Sequence, residues 1–205
     1  KPKILFVEGG SQYDIYAMRS AGIDPATGKE IFIKKNGEYT FKYDENERVA
    51  VGNTNPILQG SWMNTVTYKG FSISLATSYT FGSDYYNSTL KNKVENIDLD
   101  YNVDRRVFTD RWKQPGDHTR FLGIGTSSSS SQYSERFVEK RNELYISSIQ
   151  VMYDFAPKAI TRLGLRKLAI GFGLSDIAHI STVKFERGTD YPYCRGINLI
   201  FRPTF

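Results

Sequence analysis

Phe71-Ser-Ile-Ser-Leu-Ala-Thr-Ser-Tyr-Thr-Phe81 sets Phe71, Ile73, Leu75, Tyr79 and Phe81 on one parity and Ser72, Ser74, Ala76, Ser78 and Thr80 on the other. A period of two points successive side chains to opposite faces of a β-strand, so the segment has one apolar face and one small, polar face. Its length matches what a tilted strand needs to cross a bilayer, about 9–11 residues. The preceding stretch, Ser61–Tyr68, brings Trp62, Val66 and Tyr68 to one face and runs into Lys69-Gly70. That dipeptide predicts a two-residue hairpin.

The same pattern recurs toward the C-terminus. Tyr145–Phe155 alternates Ile149, Val151, Tyr153 and Phe155 with Ser148, Gln150 and Asp154, and Ala156–Arg166 reads as a short turn holding Pro157 and Gly164. Leu168, Ile170, Phe172 and Leu174 then alternate with Ala169, Gly171 and Gly173, and a last strand carries Ile197, Leu199, Phe201, Pro203 and Phe205 on one face. The N-terminal third is less regular, with strands expected at Lys3–Val7, Tyr13–Arg19, Ile31–Lys34 and Tyr39–Tyr43, and a turn at Asn36-Gly37.

Ser83–Arg141 is a long polar stretch with Pro115-Gly116 and the serine run Ser127–Ser131. Loops of that length are uncommon in compact soluble domains but ordinary on one side of a membrane barrel, so residues 83–141 are expected to form an exterior loop. The polar faces are mainly Ser, Thr, Gly, Ala and Gln, which suits a lumen wall better than the wet face of a sandwich. The predicted fold class is all-β, an antiparallel transmembrane β-barrel, with residues 1–205 lying in one barrel domain.

Composition narrows the function classes. The 205 residues carry a net charge of +5, from 27 basic side chains scattered among 22 acidic ones, and this dispersion argues against a nucleic-acid partner. No apolar run approaches the roughly 18 residues of a membrane-spanning helix, which leaves a strand-based span open. The excess lies in 14 Tyr, 13 Phe and 2 Trp, residues that strands favour and that barrels gather in interfacial girdles. Cys194 is the single cysteine, so no intrachain disulfide and no Cys-rich zinc site is expected. Lys1–Gly10 lacks a signal-peptide pattern, and targeting information is expected outside this stretch.

Few residues suggest chemistry. Asp98-x-Asp100-x-Asn102-x-Asp104 opens like a calcium loop, but its sixth position is Val103 and its twelfth Thr109, where Gly and Glu belong; a solvated acidic loop is the better reading. His118 and His179 have no chelating spacing, and Gly171-Phe-Gly173 lacks the third glycine and following helix of a dinucleotide loop. No metal, cofactor or catalytic group is therefore expected, and the chain does not read as an enzyme. Tyr85, Tyr86, Arg111 and Trp112, in the long polar stretch, are candidate contacts to a ligand or a lid, with packing of the loop against itself as the competing role. The final strand, with Ile197, Leu199, Phe201 and the terminal Phe205, resembles the aromatic C-terminal signal read by barrel-assembly machinery.

Several stretches, in order, resemble the C-terminal region of the SusC/RagA family of TonB-dependent transporters of Bacteroidetes. They are Gly22-Ile-Asp-Pro-Ala-Thr-Gly-Lys-Glu-Ile-Phe32 with Tyr43-Asp44, Val51-Gly-Asn-Thr-Asn-Pro56, Tyr68-Lys-Gly-Phe71, Ser78-Tyr-Thr-Phe-Gly82, Arg105-Arg-Val-Phe-Thr-Asp-Arg-Trp-Lys-Gln-Pro-Gly-Asp117 and Arg136-Phe-Val-Glu139. Gly173-Leu-Ser-Asp176 and the serine run depart from the family pattern. The resemblance implies a barrel of roughly 22 strands, about eight of them here. It also implies a plug outside this chain, outer-membrane lipid around the barrel, a SusD-like lipoprotein as lid, energy from the TonB complex and a glycan or peptide oligomer as substrate. The alternative from another class is a stand-alone β-rich surface module that binds glycan or protein without transport.

Overall fold

A computed structural model describes residues 7–98, 100, 102–126, 132–161, 164–184 and 195–205. In chain order its strands are β1 (Asp14–Ala17), β2 (Arg19–Ile23), β3 (Glu30–Ile33), β4 (Tyr39–Thr40), β5 (Val49–Asn53), β6 (Leu58–Tyr68), β7 (Phe71–Tyr86), β8 (Val138–Asp154), β9 (Lys167–Ser181) and β10 (Gly196–Thr204). Among the described residues the short α-helices are α1 (Ser88–Val94), α2 (Arg106–Thr109) and α3 (Pro157–Ile160). The chain divides into two compact units, one around Lys1–Pro56 and Ser83–Arg141, the other around Ile57–Gly82, Asn142–Thr182 and the C-terminal strand.

The second unit is an antiparallel sheet in the order β10-β9-β8-β7-β6. Lys69 and Gly70 both take positive φ, 45° and 87°, and Tyr68 pairs with Phe71. This is the two-residue type I′ hairpin that Lys69-Gly70 predicts, its twist matching the flanking strands. Register then decides which side chains share a face. Val66 lies opposite Ile73 and Tyr68 opposite Phe71; Val151 and Leu199 both pair with Phe172, and Tyr153 and Phe201 both pair with Ile170. The Phe71 and Tyr153 rings meet at 4.6 Å, which joins the two halves of this face. The alternation inferred from each strand alone thus combines into one apolar face across five strands, and Phe71, Ile73, Ile170 and Phe172 remain exposed on it.

On β9 the opposite face is built from small residues. Ala169, Gly171 and Gly173 are buried. A Cβ added to Gly171 would lie 2.9 Å from Met152 Cγ and 3.0 Å from the Val151 carbonyl oxygen, so neighbouring chain occupies the space a larger residue would need.

The first unit departs from the simple loop expected of Ser83–Arg141. Strand β7 continues to Tyr86, α1 and α2 follow, and β8 already begins at Val138. Asn87 caps α1, its side-chain oxygen accepting from the Leu90 amide at 3.0 Å. Leu90 and Val94, one helical turn apart, then face the same way and pack with Ile15, Tyr86, Phe121 and Phe137. A core of this kind holds the stretch together, because each fully buried apolar side chain contributes about 1.5–3 kcal/mol. The serine run Ser127–Ser131 and the greater part of the expected Lys3–Val7 strand lie outside the described residues.

The expected Tyr13–Arg19 strand is split. β1 pairs with β5, β2 pairs with β3, and Met18 between them bridges Ser134, so the segment serves two sheets. Asn36-Gly37 does turn the chain, with Gly37 at φ 90° and the Lys34 amide donating to the Glu38 carbonyl at 2.9 Å. Gly37 supplies the left-handed residue that such a hairpin loop demands.

Candidate functional site

Two of the sequence motifs meet in the first unit. The Trp112 indole donates to the Pro25 carbonyl at 2.9 Å, the Gly116 amide to the same oxygen at 2.9 Å, and the Gly123 amide to the Gly28 carbonyl at 3.0 Å. Asp117 closes the Pro115-Gly116 turn by accepting from the Lys113 and Gln114 amides. Trp112 lies flat over Gly28: a Cβ there would fall 2.4 Å from the ring, at φ +68°. A glycine is therefore required by both contact and backbone. Gly28→Ala is expected to lose about 1–3 kcal/mol of stability, read as a lower denaturation midpoint of the full-length protein. An unchanged midpoint would show that Trp112 is not anchored there.

Behind this junction sits a buried ionic cluster. Arg136 donates to Glu30 Oε2 at 2.7 Å and to Glu95 Oε1 at 2.9 Å, with side-chain exposure of 8% for Arg136, 6% for Glu30 and 0% for Glu95. Glu95 also accepts from the Leu122 amide at 2.9 Å, and the Ser134 hydroxyl donates to Glu30. Burial alone would lower the Arg136 pKa, but its bonds to Glu30 and Glu95 reverse this and hold it above the ordinary arginine value. Lys91 donates to the Gln132 carbonyl. Burial pushes its ammonium down to about 8, against the pull of Glu95 and Glu30.

Of the four candidate ligand contacts, Tyr86 and Arg111 are buried, whereas Tyr85 and Trp112 are half-buried. Arg111 is 4% exposed and spends its guanidinium on the carbonyls of Leu122, Gly123 and Val94, at 2.7, 2.7 and 3.2 Å. Tyr86 belongs to the core and Trp112 to the motif junction. Tyr86 and Arg111 thus have the partners expected of packing residues. The calcium-like run is likewise engaged. Asp104 binds Arg106 through both oxygens, at 2.9 and 2.7 Å, and this contact keeps its carboxyl well below the usual range. Leu99 and Tyr101 of that run lie outside the described residues, and among the described residues no cluster of three metal-ligating side chains occurs.

Sequence reasoning passed over a cavity of about 370 Å³ lined by Lys29, Glu30, Phe32, Phe41, Tyr43, Leu122, Gly125, Thr126 and Gln132. Phe41 stands on its rim, 56% exposed. The Phe32 and Tyr43 rings meet edge to face at 5.6 Å, and the Tyr43 hydroxyl accepts from the Tyr133 amide at 3.2 Å. A second cavity, of about 520 Å³, includes Arg106, His118, Arg120 and Glu139, with Arg120 and Glu139 paired at 2.6 Å.

In comparison with known proteins, no family model matches the chain. It is 26% identical over 169 residues to TonB-dependent receptor P39 of Formosa agariphila, a match covering 80% of this chain and 16% of that protein. Its fold is similar to that of the RagAB peptide importer. The "open-open" state superposes with a TM-score of 0.69 at 16% identity, over 83% of this chain and 19% of that chain. The "closed-closed" state gives 0.66 at 17% identity, covering 83% and 20%. The chain thus spans about a fifth or less of the length of these relatives. In sequence the chain is thus similar to a TonB-dependent receptor, and in fold to part of the RagAB peptide importer, in agreement with the motif order.

Proposed function

We propose that this chain works in TonB-dependent import of nutrient oligomers across the bacterial outer membrane, as part of a barrel that acts with a SusD-like surface lipoprotein. The observation that carries the reading is the single apolar face running through β6 to β10, backed by a face rich in Ser, Thr, Gly and Ala that Met63, Met152 and Ile200 interrupt. A sheet that is apolar on one side across its strands and mainly small or polar on the other suits a wall between lipid and lumen. The relatives support the same reading: one is named a TonB-dependent receptor, the others a peptide importer. Glycan and peptide are both substrate classes of the proposal. The plug and the segment that engages TonB are placed outside this chain, and the first unit at the cell exterior.

The direct test is growth and uptake by a strain lacking the full-length gene product, compared with a strain lacking TonB. Equal loss of uptake of one oligomer class supports the proposal. A native protein that is extracted without detergent would instead favour a surface-binding module.

Facing has its own test. Arg at Leu75, on the apolar face, is expected to cost about 2–4 kcal/mol if the residue lies near the midplane, whereas Arg at Ser74 is tolerated better. Equal stability of the two variants in a membrane-folding titration would show the assigned facing to be wrong.

A further inference from the structure

The cavity beside β3 and β4 has a charge balance that the motifs do not explain. Two carboxylates adjoin it or lie directly behind it, Glu30 and Glu95, and both are bound by Arg136. Lys91 donates to the backbone of Gln132, a wall residue, and Arg111 donates to the backbone of Leu122, another. Lys29 is exposed at the edge, and among the described residues no carboxylate is paired with it. Of the two charged side chains that line the recess itself, Glu30 is held by Arg136 and Lys29 stands exposed at the edge, a local charge that favours an anionic guest.

The rest of the lining specifies a ring. Phe41 offers an exposed aromatic face at the rim. The Tyr43 hydroxyl accepts the Tyr133 amide, which leaves its proton to donate inward, and the Gln132 amide brings both a donor and an acceptor. An aromatic platform beside mixed donors and acceptors suits a sugar, which has an apolar C–H face and a hydroxyl edge. An extended peptide would instead read a sheet edge by backbone pairing, and β4 at this edge is two residues long. The volume is at the lower end of small-ligand sites, about 300–1,000 Å³, enough for one or two rings of a chain.

We propose that this cavity is a subsite for an acidic saccharide, whose ring lies on Phe41 and whose carboxylate pairs with Lys29. The inference rests on the import reading for its biological setting, but binding to the purified protein is measured independently of uptake.

The experiment is calorimetric titration of the detergent-purified full-length receptor with tetragalacturonate, maltotetraose and tetraglutamate. Tetragalacturonate is expected to bind, and to bind at least about tenfold more weakly to Phe41→Ala and to Lys29→Met. Both side chains are exposed, and unchanged unfolding midpoints will show that the variants fold. Lys29→Met should leave any maltotetraose binding unchanged. The proposal is overturned if tetragalacturonate does not bind, if either variant binds it as wild type does, or if tetraglutamate binds as tightly with the same dependence on Lys29. Failure here with uptake intact removes the subsite alone, whereas loss of the import reading would show in the uptake assay whatever binds the cavity.

Discussion

Replacing Arg136 by Met is expected to destabilise the protein by about 3–5 kcal/mol, because it leaves Glu30 and Glu95 charged, buried and without their shared cation. The Glu95 side chain has no solvent exposure and Glu30 very little, so water cannot replace the guanidinium. Arg136→Lys should fall between, since an ammonium cannot span two carboxylates as a planar guanidinium does. Removing the charges that Arg136 neutralises, as in Arg136→Met with Glu30→Gln and Glu95→Gln, should recover part of the loss. The measurement is a urea titration of the full-length protein in a membrane-folding assay. A loss under about 1 kcal/mol for Arg136→Met would mean that solvent reaches the cluster and that the pairs act as surface salt bridges.

Arg136 shows why the fold and the site were not equally legible in sequence. Within a β-strand the relevant partner is two residues away, so Phe71, Ile73 and Leu75 declare their shared face locally, and Lys69-Gly70 declares its turn. The partners of Arg136 are 106 and 41 residues away in sequence, and nothing local to Arg136-Phe137 encodes them. The same limit explains Ser83–Arg141. Its polar composition suggests a loop, yet α1 was signalled by Asn87 before Leu90 and Val94 at a four-residue spacing, in a helix too short for periodicity to stand out. Trp112 and Gly28 are a further case: the family-like motifs were visible singly, while their junction needs the fold. The cavity is farther still from sequence, because its lining comes from three separated stretches and includes residues that are individually unremarkable.

Deleting Ile197–Phe205 from the full-length protein is expected to abolish its assembly in the outer membrane. The deleted residues make up almost all of β10, which pairs with β9 from Gly196 opposite Ser175 to Thr204 opposite Lys167. β10 ends the order of the sheet, and Ile197, Leu199 and Phe201 are exposed on the apolar face. In hydrocarbon each backbone N–H or C=O without a partner costs several kcal/mol, so a spanning sheet must close on itself. We place the first strand of the complete barrel against the free edge of β10, and without β10 the edge of β9 would be bared instead. We propose a second, earlier cause, recognition of the Phe205 ring by the assembly machinery. Phe205→Ala separates the two: it keeps the ladder of β10 and removes only the Phe205 ring. Lower outer-membrane levels for Phe205→Ala, with none for the deletion, would assign a share to each. Normal levels of the deleted protein would sink both the closure role of β10 and the signal role of Phe205.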